Sequence, residues 1–576
     1  MYPAGAPARR AIGRAYFGRG RWTFEPARRG RRLPLSWKGH DAPEDGDYCI
    51  AEIAEGERAL LVEVLGADDR PQWDDPAVAS QYRLRIHFPA EAEEEAAGLG
   101  PPGPSDHDHR LDLRDSLVFT IDPEDARDHD DALSWRALGH GLHEVGIHIA
   151  DVSHYVRPGS ALDREARERG LSCYLPGSVV PMLPERLSGG LCSLRPDEDR
   201  LALSVIAELD ERAGLREFRL AETVIRSRHR LDYGRVQEAL DGRAPFPQPL
   251  QHSLERLLAL ARGLRARRWA AGALDLDIPE TKAWVDGQGN PVRIERREHL
   301  ESHELVEEFM LLANRCVGHE GARRGPGLLY RVHEPPGAPK LAELETMLRA
   351  LGLPRMGDTR EPARALQTLL RTPLDPAHRR LVHRLALRAL ARARYHERDF
   401  GHFGLAAREY CHFTSPIRRY PDLHNHRRVR EWLHGRRTAA WDPIELAALA
   451  EACTGLEQNA AAAEREAVRV KGLRALEGRL GERHSGIITG LIPPGFFVEL
   501  DAIPAEGFVR VGLYLDDHFV LDATGARLVG RRTRRRFCLG DVVHVTVARV
   551  DVPARECDLA IEIPARRRGR RHHGGY

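Results

Sequence analysis

Between Asp122 and Asp131 the chain places five aspartates and one glutamate within ten residues, Asp122-Pro123-Glu124-Asp125-Ala126-Arg127-Asp128-His129-Asp130-Asp131. Carboxylates a few Å apart repel one another and stay ionised together only around a cation. All-oxygen donors suit a hard divalent ion, magnesium or manganese, better than zinc. An acidic run is more often a solvated surface, but apolar flanks on both sides argue for a loop that is held. An EF-hand calcium loop needs Gly at its sixth position and Glu at its twelfth. Counted from Asp122 these positions are Arg127 and Leu133; from Asp125, Asp130 and Arg136; from Asp128, Leu133 and Gly139. Every register fails. His129 lies among the acids, and because oxygen-rich sites rarely recruit a His it reads as a neighbour before a ligand.

The elements around this run are legible. Leu117-Val118-Phe119-Thr120-Ile121 is apolar and β-branched, a buried strand entering the loop. Leu133, Trp135 and Ala137 alternate along a second strand leaving it. Farther on, Thr414-Ser415-Pro416 has the pattern of a helix N-terminus, Ser as cap and Pro in the first turn. Such an end would aim free N–H groups at a phosphate, with Arg418 inside that first turn. Pro421 competes for the same boundary.

Composition bounds the rest. The 576 residues call for several domains, and 42% hydrophobic residues allow sizeable cores. The net charge of +1 conceals asymmetry: residues 1–38 carry ten Lys/Arg against Glu25 alone, and Arg566–His573 is basic again. Both ends suit a polyanion, although the C-terminal run reads equally well as a solubilising tail. Eight scattered Cys without a CxxC pair argue against a zinc or disulfide framework and fit a reducing cytoplasm. Neither a secretory signal nor a membrane-length apolar run is present, so a cytoplasmic protein without membrane partner is expected.

Three blocks follow. Short strands at 15–17, 22–24, 48–53 and 59–66 make a β-rich unit within residues 1–100, of the OB-fold kind, with a basic N-terminal arm. An acidic helix from Glu91 and a Pro-rich linker at 101–105 lead into a mixed α/β block, 110–475. That block ends in helices: one is capped by Asp442-Pro443, and another runs through Asn459–Glu466. A second OB-like unit spans 479–564, and residues 565–576 form the basic tail. In the second unit Phe496, Phe508 and His518, with Phe497 and Tyr514, are base-stacking candidates, about half of which would be core. Alternation lets only one of Phe496 and Phe497 face a ligand. The run Arg531–Arg536 could track phosphates.

The stretch Thr120–Leu133 resembles the metal-binding signature of the RNB exoribonucleases, the ribonuclease II and ribonuclease R family. Further segments keep that family's order: Gly146–Val156, Leu162–Ala166, Ser172–Leu175, Pro181–Glu185, Leu187–Leu194, His402–Leu405 and Phe413–Leu423. The resemblance implies a multidomain protein with an α+β RNB catalytic domain flanked by β-barrel OB-folds, cold-shock-like at the N-terminus and RNA-binding at the C-terminus. The chain has room for one cold-shock-like domain where family members often carry two. It implies that Asp122, Asp128, Asp130 and Asp131 hold magnesium, with manganese as an alternative. Arg418 would contact the scissile or adjacent phosphate, and Tyr174 would pack on the 3′ base. Arg419 and Glu464 would assist in holding RNA. Glu307, Glu308 and Asn314 fall in a matching segment where helix packing is the expected role. The implied activity is processive, sequence-independent 3′→5′ hydrolysis of single-stranded RNA to nucleoside 5′-monophosphates, by a monomer without a small-molecule cofactor. A catalytically silent RNA-binding protein and an endonuclease or tRNA-trimming enzyme are the competing readings.

Overall fold

The computed structural model of the protein describes residues 9–27, 31–38, 42–54, 58–67, 69–276, 280–435 and 442–562. The basic tail and the start of the N-terminal arm lie outside the described residues.

The first unit is a closed barrel of five strands, Arg9–Gly18, Arg21–Pro26, Leu33–Ser36, Tyr48–Ala54 and Arg58–Gly66. Its first strand pairs with the second and the fourth, and its third pairs in parallel with the fifth. Alternation builds it: Ala15, Phe24, Leu35, Cys49, Ala51 and Leu61 point inward, while Ile50 on the opposite face packs in a separate cluster with Ala77. Gly13 is required there, because a Cβ would lie 2.2 Å from the Glu25 carbonyl oxygen. The last unit repeats this connectivity with Arg483–Ile492, Gly495–Leu500, Glu506–Arg510, Val542–Asp551 and Glu556–Ile561. A three-stranded sheet, Phe519–Leu521, Arg527–Gly530 and Arg536–Cys538, is inserted between its third and fourth strands. Both units are OB-like barrels.

Between them lies a six-stranded sheet that curls on itself. The strand order is Asp199–Asp210, Leu142–Ala150, Asp131–Gly139, Val118–Asp122, Leu215–Asp232 and Leu111–Asp112. The long strand Leu215–Asp232 runs antiparallel to Asp199–Asp210 in its first part and parallel to Val118–Asp122 in its last, which closes the curl. Phe119, Ile121, Leu133, Ile147 and Ile149 bury one face against the helices Leu250–Ala270 and Glu301–Arg324.

Residues 443–477 form one helix of 35 residues, where two helical segments were expected. Asp442 caps it as anticipated, accepting the Ile444 N–H. Nothing in its Ala-rich sequence interrupts the turns, and the segment leaving the first barrel, the middle unit and the last barrel all pack on it. Lys471, fully buried, donates to the Pro71 carbonyl (2.8 Å), the Asp74 carboxylate (2.9 Å) and the Gly289 carbonyl (2.8 Å). Arg474 adds ion pairs to Asp74 and Asp69. Arg469 reaches the Arg555 carbonyl of the C-terminal barrel at 3.0 Å. The same helix therefore ties the first barrel's exit segment to the last barrel. No described helix is long and apolar enough to cross a membrane.

Candidate active site

The acidic run is a loop whose two ends are fixed by adjacent strands. Asp122 is the last residue of Val118–Asp122, and Asp131 opens Asp131–Gly139, which pairs with it. Backbone contacts pin the loop between them. The His129 N–H donates to Ser193 Oγ (3.1 Å), the Ser193 hydroxyl to the Arg127 carbonyl (2.7 Å), and the Leu194 N–H to the His129 carbonyl (3.0 Å). A π-helical turn, Arg186–Leu191, presents Ser193 and Leu194 for this purpose. Arg230 donates to the carbonyls of Glu124 and Ala126.

Three of the four carboxylates are then oriented. Asp122 Oδ2 lies 2.8 Å from His129 Nδ1, which makes His129 a buried prop for Asp122. Asp128 Oδ2 accepts the Tyr174 hydroxyl at 2.8 Å. Asp130, 3% exposed, accepts the Ile417 N–H at 2.8 Å and lies 3.2 Å from Arg418 Nε. Burial raises the Asp130 carboxyl well above the carboxylate range. Arg418 opposes that rise and the Asp128 charge adds to it. Burial and the Asp122 charge push Asp131 up to about 8, against Arg418 and Arg419. The charges are thus crowded in a poorly hydrated place, and their donor set is all oxygen.

Among the described residues no group of three or more His, Cys, Asp or Glu side chains is drawn together tightly enough to hold a metal ion as it stands. The carboxylates instead face His129, Tyr174 and Arg418. The chemistry of the set still fits a hard divalent cation, whose charge would offset the repulsion that raises Asp130 and Asp131.

Arg418 and Tyr174 reach the aspartates from different directions and are joined through the backbone, the Ser172 N–H donating to the Arg418 carbonyl at 3.0 Å. Tyr174 lies on a short strand, Cys173–Tyr174, paired with Val179–Val180, and is 40% exposed. Its N–H donates to Glu464 Oε1 at 2.8 Å. Glu464 is therefore a holder of Tyr174 before it is anything else. Asp75 holds the turn of the same hairpin, accepting the Gly177 N–H at 2.7 Å.

The expected helix start at Ser415 is wrong. Residues 415–419 make a single turn, and the helix is Tyr420–Leu433, with Pro421 in its first turn. A helix begun at Ser415 would bury Pro421 in its interior, where Pro removes a hydrogen bond and clashes. Arg418 is set instead by side chains: its guanidinium donates to Ser415 Oγ (2.9 Å), and the Ser415 N–H to Asp422 (2.8 Å).

The remaining candidates divide. Arg419 pairs with Asp422 at 2.7 Å, an internal ion pair. Phe496 is a correction: it is fully buried, 4.8 Å from the Phe537 ring, because its position on the strand points into the barrel. Phe508 is half-buried, its ring tilted against that of Phe497 at 4.9 Å with Arg510 over it, and His518 is exposed. Glu308 pairs with Arg268, and Asn314 accepts the Phe413 N–H at 2.8 Å, so both serve packing as expected. Sequence reasoning missed Ser193, Asp422, Asp75 and the Ile417 N–H. Ser193 and Asp422 fall inside the quoted motifs, but a motif does not say which member bonds to which. Asp75 falls in none. The first barrel also carries an unforeseen aromatic patch, Phe17, Trp22 and Trp37, with ring separations of 5.2 and 5.7 Å.

The RNB domain family matches residues 110–435. Ribonuclease R of Aquifex aeolicus is 38% identical over 538 residues, 90% of this chain and 75% of that protein. Ribonuclease R of Thermotoga maritima is 37% identical over 538 residues, 90% of this chain and 76% of that one. Among solved structures, Mycoplasma genitalium RNase R in complex with ribose-methylated single-stranded RNA superposes with a TM-score of 0.86. That match is 25% identical and covers 96% of this chain and 90% of the other. The fold is shared as well with yeast Ssd1, a pseudonuclease, at a TM-score of 0.72 and 20% identity over 91% of this chain and 68% of that one. The chain belongs to the RNB family of exoribonucleases, and ribonuclease R is the kind of relative that both its sequence and its fold match.

Proposed function

We propose that this exoribonuclease degrades single-stranded RNA from its 3′ end, processively and without regard to sequence, releasing nucleoside 5′-monophosphates. The observation that carries this reading is the joining of Tyr174, Arg418 and the aspartates through the Tyr174–Asp128 and Arg418–Asp130 contacts. Asp122, Asp128, Asp130 and Asp131 would hold magnesium, or manganese, which when bound activates a water and neutralises the phosphoryl group. The Tyr174 ring offers the terminal base a face to stack on, and every base has such a face, so sequence is not read. Its hydroxyl, fixed on Asp128, sets how deep that base sits. Arg418 keeps its Nε on Asp130 and turns its remaining N–H groups to a phosphate oxygen. His129 fixes Asp122, and the Ile417 N–H fixes Asp130, so these two carboxylates are oriented before RNA arrives.

The RNA complexes of the Mycoplasma relative, one with single-stranded and one with double-stranded RNA, support RNA as the substrate class. The first barrel would act as the cold-shock-like unit, its Phe17–Trp22–Trp37 patch offering bases a surface, and the last barrel as the RNA-binding OB-fold.

The test is 5′-labelled single-stranded RNA with magnesium, for the wild type and Asp130→Asn. A ladder collapsing to a short 5′ oligonucleotide is expected, slowed at least about a hundredfold in the variant. Labelled RNA that binds the wild type and is never shortened would make this a binding protein of the Ssd1 kind. Internal cuts would make it an endonuclease.

A further inference from the structure

The hairpin Thr281–Val285 and Pro291–Arg296 belongs to neither barrel nor to the curled sheet, yet the long helix, the Tyr174 hairpin and the C-terminal barrel all hold it. Its turn is locked by Asp286, which accepts the N–H groups of Gln288 and Asn290, and by the Gly289 carbonyl on Lys471. Arg296 anchors its far end to Glu499 of the C-terminal barrel at 2.8 Å. Ala283 is buried, and the hairpin packs on the long helix. Val285 lies against the Tyr174 hairpin: a Cβ at Gly177 would be 3.2 Å from its methyl group.

Alternation then dictates what the outer face carries. Lys282 pairs across the strands with Glu295, and Trp284 with Arg293, so these four share a face. Lys282 Nζ lies 3.7 Å from the Asp125 carboxylate, which sets this face at the rim of the acidic loop. The Arg293 guanidinium lies 4.1 Å from the Trp284 ring centroid, and Lys282 Nζ 5.2 Å from it. A guanidinium stacked on an indole keeps its N–H edges free while its rotamers are restricted. The carboxylate contacts of this face, Lys282–Asp125 and Arg293–Glu295 at 3.3 Å, are solvent-exposed pairs of small worth and exchange readily for phosphate.

We propose that Lys282, Trp284 and Arg293 form a second contact surface for the RNA strand, tracking its phosphates beside the aspartates, with Trp284 holding Arg293 in place. It rests on the RNA-degrading reading above. It adds to that reading a backbone contact supplied by a hairpin that the long helix and the C-terminal barrel brace. Lys282 and Arg293 bind the strand, and Trp284 is a positioning residue.

The experiment measures RNA affinity against salt concentration, using the full chain with Asp130→Asn, fluorescent single-stranded RNA and no added divalent ion. Each phosphate contact contributes about 0.7 to the slope of log affinity on log salt for a single strand. Lys282→Gln and Arg293→Gln are each expected to weaken binding and flatten the slope by about 0.7, while Lys282→Arg keeps the parent slope. Trp284→Ala should match Arg293→Gln, and combining the two should cost no more than either alone. Thermal melting of each variant checks folding. Unchanged slopes in both Gln variants, with the parent still binding RNA, would overturn the surface and leave the RNA-degrading reading intact. A parent that binds no RNA would overturn both.

Discussion

Tyr174 joins two jobs in one side chain, and substitutions separate them. Tyr174→Ala removes the ring and is expected to raise the RNA dissociation constant about 5- to 150-fold, the range for one stacked base. Tyr174→Phe keeps the ring and loses the hydrogen bond to Asp128. It should therefore bind RNA nearly as the parent does and turn over more slowly in single-turnover assays. Equal loss of binding in both variants would deny the ring its role. Histidines make a different prediction. His148 is fully buried between the hydroxyls of Ser134 and Ser204, at 3.0 and 2.8 Å. His424 and His426 are buried against the carbonyls of Gly327 and Phe413. Burial, first among the causes, holds all three down to about 4, from an ordinary value of 6.5. The unfolded chain therefore takes up protons below pH 6.5 that the folded chain refuses until about 4. Stability is full above pH 6.5 and falls between 6.5 and 4, which urea titrations at successive pH values would register. A flat profile there would mean these groups titrate alike in both states. At this scale the sequence was most legible where residue type dictated chemistry. Arg418 does reach Asp130, whereas Phe496 could not be told from Phe497 until a barrel gave each a side. Ser193 acts through a single hydroxyl on a backbone, a contact that no residue pattern announces.

Elements carry the site by close approach. The helix Glu301–Arg324 passes so near the segment leading into Phe413 that a Cβ on Gly318 would lie 1.8 Å from the Glu409 carbonyl oxygen. Gly318→Ala should thus cost about 1–3 kcal/mol, because backbone must shift, although Ala ordinarily favours a helix. A chemical denaturation midpoint no lower than the parent's would show that the helix can move. The strands around the acidic loop were readable because apolar alternation and β-branching are local signals, and Val118–Asp122 and Asp131–Gly139 form where expected. The turn at Ser415 was not. Its sequence satisfies a cap, and only the first-turn placement of Pro421, together with the Asp422 carboxylate on the Ser415 N–H, moves the helix start to Tyr420.

Across the whole molecule, one lysine joins regions far apart in sequence. Lys471→Met leaves Asp74 with Arg474 alone and two carbonyls without their donor, a loss of about 3 kcal/mol. Pairing it with Asp74→Leu should recover part of that, since a matched apolar pair replaces a broken ionic one. Strict additivity in a double-mutant cycle would deny the coupling. The barrels themselves could be anticipated from short strands and turn residues. Their shared seat on one helix could not, because Asp74 and Lys471 are ordinary charged residues until the fold buries them together.

That seat also has a consequence in time. Asp69 and Arg474 are 405 residues apart, and Asp74 and Lys471 nearly as far. At roughly 5–20 residues per second, translation takes about 20–80 s to deliver the partner of an aspartate already made. Throughout that interval the first barrel is complete but undocked. A message cut short before codon 471 yields a polypeptide whose exit segment never finds its cation, so ribosome stalling late in the reading frame should leave products that cellular proteases remove quickly.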